Sequence, residues 1–126
     1  MRLLLDSHVL LWWLEDNPSL GVESRAAIAD ADEVFVSAVS PWELGIKQAL
    51  GKLTMPGDLA EAAEAAGFAP LTISLAHATT APALPAHHRD PFDRMLVAQA
   101  QLEALTLVSA DRQLAPYEVD LLDARR

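Results

Sequence analysis

The sequence predicts an α/β fold with a mostly parallel sheet. Three observations predict it. Short runs rich in aliphatic and β-branched residues alternate with longer segments of helical character, the order that builds parallel strands with crossover helices. The first run, RLLLD at 2–6, is continuously apolar from Leu3 to Leu5, as a strand covered on both faces is. Proline, glycine and short polar residues fall at the joints between segments.

Taken in order, RLLLD is a buried strand, and SHVLLWWLED is a helix that stops near Asn17-Pro18. Residues 19–31 form a second helix. EVFVSAV at 33–39 begins as a strand because β-branched residues dominate it. SPWELGIKQALGKL starts a helix at Ser40-Pro41 and ends it at Gly51. The segment 57–67 is a helix between two glycines, and FAPLTI at 68–73 is a weaker strand. SLAHATTAPAL is a short helix ended near Pro82, followed by the loop PAHHR. A helix runs from Asp90 to about Ala104, with LTLVS at 105–109 as the next strand and YEVDLLD at 117–123 as a last one. Neither a repeat nor a long linker interrupts the chain, so a single domain over 1–126 is expected.

Composition narrows the function. Of 126 residues, 52% are hydrophobic, enough for a core, which excludes a disordered chain. There is no cysteine, so disulfide frameworks and thiolate metal sites are excluded and a reducing compartment is compatible. The run VLLWWL is far too short to span a membrane, and Asp6 interrupts any signal-peptide pattern. A cytoplasmic protein without membrane contact is expected. A net charge of −9 argues against holding nucleic acid by bulk electrostatics, but not against nucleic acid handled through a metal ion. It also suits a partner with basic segments.

The chemistry lies in four acids. Asp6 ends the first strand, where it either caps the next helix or serves a site. In SPWE, Ser40 and Glu43 have the spacing of a capping box, and Glu43 can pair with Lys47 one turn on. In DPFD, Asp90 suits the N-cap and Pro91 the first helical position. Asp93 has the capping-box position, yet it shares a helical stripe with Leu96, Val97, Ala100 and Ala104, which should face protein. Met95, Ala98 and Leu102 form a second apolar stripe, with Arg94, Gln99, Gln101 and Glu103 between the two. Asp111 follows the strand LTLVS and alone reads as a turn residue.

Together the four are more informative, because each lies at a strand end or a helix start. In a parallel sheet those ends share one face, beyond which ligands bind. Carboxylates gathered there repel one another unless a cation intervenes, and oxygen ligands suit Mg²⁺ or Mn²⁺. Such an ion can activate water and stabilise displacement at phosphorus. Lys47, Lys52, Arg94 and Arg112 lie close enough in sequence to meet substrate phosphates.

The segments LLLDSHVLLWWL, SPWELGIKQALGKL, HHRDPFDRMLVAQA and LTLVSAD, in that order and spacing, resemble the PIN-domain family, above all VapC-type toxins of bacterial type II toxin–antitoxin systems. The likeness spans nearly the whole chain. It implies a three-layer α/β sandwich with a mostly parallel central sheet flanked by helices, an Mg²⁺- or Mn²⁺-dependent endoribonuclease in which a metal-activated water attacks RNA, inhibition by a cognate antitoxin protein, and homodimers. It implies Asp6, Glu43, Asp93 and Asp111 as the catalytic acids of a metal site, the first three holding the cation and Asp111 assisting at a more variable fourth metal position. Ser109 matches a hydroxyl often near that site. His87 and His88 belong to a subgroup-like HHRDPFDR pattern, read as a loop that packs or contacts RNA, with a zinc site as the alternative. A non-catalytic PIN-like module that binds a protein or RNA is the alternative function. A phosphatase or a receiver-like phosphoacceptor is a more distant one, as no strand is followed by the D-x-D nucleophile pair of one type of phosphatase and no lysine follows LTLVS.

Overall fold

Strand β1 (Arg2–Leu5) lies at the centre of a five-stranded sheet of order β3-β2-β1-β4-β5, in the computed structural model, which describes residues 1–55 and 57–126. Its neighbours are β2 (Glu33–Ser37) and β4 (Thr106–Ser109), with Leu3 opposite both Val34 and Thr106. The edges are β3 (Ala69–Leu71) beside β2 and β5 (Leu121–Asp123) beside β4. All four pairings are parallel, so the sheet is wholly rather than mostly parallel.

The unbroken apolar run of β1 follows from this position. Side chains alternate across a strand, so Leu3 and Leu5 enter one core and Leu4 the other. The first core is closed by Val9 and Leu10 of α1 (Ser7–Leu14), Ile28 of α2 (Val22–Asp30) and Ala63 of α4 (Leu59–Ala65). The second is closed by Val39 of α3 (Val39–Ala49) and by Leu96, Val97 and Ala100 of α6 (Pro91–Glu103). Helix α5 (Leu75–Ala83) packs on α6. Three layers result, and each fully buried leucine contributes roughly 1.5–3 kcal/mol of apolar burial.

Several boundaries differ from the sequence reading for local reasons. Helix α2 begins at Val22, with Gly21 as its N-cap, because Asn17 Oδ1 accepts the Ser19 amide and holds 17–20 in a turn. Helix α3 begins at Val39, whose amide donates to Ser37 Oγ at 3.0 Å. Ser40 is therefore inside the helix, and the Ser40–Glu43 capping box does not form. Pro41 still falls in the first turn, where its missing N–H is not needed. In α6, Gln99 is 0% exposed and donates to Thr72 O, while Leu102 is 47% exposed. The polar and apolar assignments of those two positions are thus reversed, because α5 covers the side of α6 that Gln99 occupies.

The strand order matters most for function. From β1 the chain builds outward through β2 and β3, then returns to the other side of β1 for β4 and β5. The direction of winding reverses between β1 and β4, and a crevice opens there at their carboxyl ends. Asp6 follows β1, and Ser109 and Asp111 lie at and just past the end of β4.

Candidate functional site

Asp6 is the N-cap of α1, its Oδ1 accepting the Val9 amide at 2.9 Å. Capping does not exhaust it. Its Oδ2 accepts the hydroxyl proton of Ser109 across the β1–β4 crevice. Burial raises its carboxyl above the usual range, while the Ser109 O–H and Val9 N–H pull the other way.

Glu43 enters from the second turn of α3 and is 4% exposed. With no capping box to serve, its oxygens turn inward: Oε1 accepts from Ser7 Oγ at 2.7 Å and Oε2 from Lys47 Nζ at 3.0 Å. Ser40 Oγ lies 3.0 Å behind Ser7 Oγ. The pair with Lys47 is therefore as the spacing predicts, and Ser7 and Ser40 orient Glu43 rather than cap helices.

Asp90 and Pro91 behave as expected. Asp90 Oδ1 accepts from the amides of Phe92 and Asp93, and Pro91 occupies the first turn. Asp93 does not close a capping box, because the Asp90 amide donates instead to Nδ1 of His88 at 3.1 Å. The Asp93 side chain is 19% exposed. Burial, then the carboxylates of Asp90 and Asp6, push it up to about 7, against a lowering by His88 and with a further small rise from Glu43. Asp6, Glu43 and Asp93, from three separate elements, thus act on one another electrostatically.

Asp111 sits at the start of a short 3-10 turn (Arg112–Leu114), and its Oδ1 accepts the Gln113 amide at 2.9 Å. The turn role read from sequence is real. Its Oδ2 takes Nε2 of His88 at 2.7 Å, and that nitrogen also lies 3.1 Å from Asp93 Oδ2. The amide of Asp111 donates to Ser109 Oγ, tying it back to Asp6. Donor atoms of His88, Asp93 and Asp111 all lie within 4.8 Å of one another.

His88 was not among the site residues that the sequence singles out. One signal pointed to it: a histidine two residues before an N-cap aspartate can accept that residue's amide and so turn its other nitrogen along the helix start. Arg94, expected to be available for phosphates, is not. Its guanidinium donates to the carbonyls of Ala81, Pro82 and Leu84 at the end of α5, to Pro85 O and His88 O, and to Tyr117 Oη. A planar fork of donors suits such a set of fixed acceptors.

The carboxylates of Asp6, Glu43 and Asp93 are hard oxygen donors, the chemistry that suits a divalent cation. Burial disfavours ionisation of Asp6 and Asp93, and a bound cation would oppose that.

A sequence model of the PIN domain matches residues 3–119. The chain is 37% identical over 122 residues to Ribonuclease VapC22 of Mycobacterium tuberculosis (strain ATCC 25618 / H37Rv), covering 90% of each. Among solved structures it resembles VapBC2 from Rickettsia felis bound to a DNA fragment from their promoter, with a TM-score of 0.72, 13% identity and 98% of each chain covered. DNA-bound VapBC from Salmonella typhimurium gives a TM-score of 0.71 at 15% identity, again covering 98% of each chain. Those two likenesses concern the fold.

Proposed function

The chain belongs to the PIN-domain family, and from that premise we propose that it is a metal-dependent endoribonuclease, the toxin of a toxin–antitoxin pair. One observation carries the reading. Asp6 follows β1, where the sheet reverses its winding, and its charge and that of Glu43 on α3 both act on Asp93 at the start of α6. Here Asp93 has three other carboxylates acting on it.

Asp6, Glu43 and Asp93 would hold the cation, directly or through water, and Asp111 would assist. A divalent ion, when bound, supplies an acidified water and charge stabilisation at phosphorus. We assign Mg²⁺, with Mn²⁺ as an alternative, because every donor in the triad is oxygen. The chain's own residues prepare the site. Ser7 and Lys47 orient Glu43, and Ser109 and the Val9 amide orient Asp6. RNA is the proposed substrate, on the strength of the 37% identical ribonuclease.

An antitoxin partner and a homodimer belong to the same proposal. Trp42 and Ile46, exposed on successive turns of α3, and Leu50 at its C-cap support protein–protein contact. A cytoplasmic site of action goes with an RNA substrate. Among the described residues no helix is long and apolar enough to cross a membrane.

The test is cleavage of RNA with Mg²⁺ present. Asp6→Asn and Asp93→Asn should each abolish it while circular dichroism shows the fold intact. Full cleavage by both variants would sink the proposal.

A further inference from the structure

His88 is held in place with more care than a loop residue needs. Its amide donates to Tyr117 Oη at 3.0 Å and its carbonyl accepts from Arg94 Nη1 at 3.3 Å. Tyr117, 5% exposed, donates its own O–H to Pro85 O at 2.8 Å, and Arg94 also donates to that carbonyl. The ring of His87 meets Tyr117 edge-on, with centroids 4.9 Å apart. Buried Tyr117 and the fully engaged Arg94 thus clamp the loop at 85–89 from both sides and fix where the His88 imidazole points.

The imidazole's hydrogen bonds fix its tautomer. Nδ1 accepts the Asp90 amide, so the ring proton is on Nε2. That N–H is donated to Asp111 Oδ2 at 2.7 Å, and the nitrogen rests 3.1 Å from Asp93 Oδ2. A cation held jointly by His88, Asp93 and Asp111 would need the Nε2 lone pair, which the proton occupies.

We infer that His88 is a positioning residue that couples Asp111 to Asp93, so that Asp111 supports the cation site through the imidazole and not as a ligand. Asp111 holds the Nε2–H edge in place, and that edge steadies Asp93 Oδ2 as the carboxylate takes up the cation. Carboxylates that bind metals are themselves oriented by such outer partners, whose loss weakens metal affinity about 10–100-fold. The inference rests on the reading of Asp93 as a cation ligand.

The test is a double-mutant cycle on Mn²⁺ affinity, read by calorimetry and by the electron paramagnetic resonance of free Mn²⁺, without substrate. His88→Ala and Asp111→Asn should each weaken binding about 10–100-fold. The double variant should be no weaker than the weaker single one, since both remove one connection. His88→Gln, which keeps an N–H donor at the same reach, should recover part of the loss. In wild-type protein saturated with Mg²⁺, long-range ¹H–¹⁵N correlation should show His88 Nε2 still protonated. That measurement needs no variant to fold. Multiplying losses in the double variant would make Asp111 a direct ligand and overturn the inference. So would unchanged affinity in His88→Ala, or loss of the Nε2 proton on Mg²⁺ binding. Unchanged affinity in Asp93→Asn would instead overturn the cation-site reading itself, and the inference with it.

Discussion

Asp93→Asn should do two opposite things: remove activity and stabilise the metal-free protein at neutral pH. In the folded chain the Asp93 carboxyl is moved from 3.8 to about 7, by burial first and by neighbouring carboxylates second. At about 1.4 kcal/mol per pH unit, ionising it costs the fold up to about 4 kcal/mol. The side chain is only 19% exposed, so solvent screens little of this. Between about pH 4 and pH 7 the native state holds a proton that the unfolded chain has released. Stability is therefore greatest below the unfolded value, falls as pH rises towards about 7, and is level above it. From about pH 5 to pH 8, wild type should lose roughly 2–3 kcal/mol relative to Asp93→Asn. Urea unfolding of both proteins in the presence of a chelator, across that range, measures the difference. Saturating Mg²⁺ should then restore wild type, by about 2.7 kcal/mol at a hundredfold excess over Kd, and leave the variant unchanged. A difference between the two proteins that does not vary with pH would refute the electrostatic account of the site.

Other perturbations have equally definite outcomes. Arg94→Ala should destabilise the fold by about 3 kcal/mol or more, because it leaves carbonyls at the end of α5 and in the loop at 85–89 without their donor. Arg94→Lys should recover little of that, since an ammonium cannot fork; weakened RNA binding with unchanged urea midpoints would return Arg94 to a phosphate-binding role. Leu4→Ala should cost about 2–5 kcal/mol in chemical denaturation, because Leu4 is enclosed between β1 and α6 with no route for water. A chelator should abolish RNA cleavage, and Mg²⁺ or Mn²⁺ should restore it; persistence of cleavage after exhaustive chelation would exclude the cation.

How far the sequence could be read depended on the range of the forces involved. RLLLD announced a doubly covered strand because that property belongs to consecutive side chains of one segment. DPFD announced its own helix start, since an N-cap and its target amides lie within three residues. SPWE looked the same and behaved differently. The Ser37 hydroxyl takes the Val39 amide, α3 starts earlier, and Ser40 joins Ser7 behind Glu43. Gln99 and Leu102 exchanged roles because the packing of α5, a segment some twenty residues away, decides which face of α6 is covered.

By itself, the sequence determined the alternation of strands and helices, the parallel sheet, and the four acids at strand ends and helix starts. Those follow from local periodicity and from the rule that parallel strands point their carboxyl ends one way. Only the tertiary structure decided that β4 lies beside β1, which opens the crevice and brings Ser109 to Asp6. It alone decided that His88 stands between Asp111 and Asp93, and that Arg94 and Tyr117 hold it there. Hydrogen bonds of a few ångströms between residues 5 to 103 positions apart leave no periodic trace in a single chain; strand order and loop path set them.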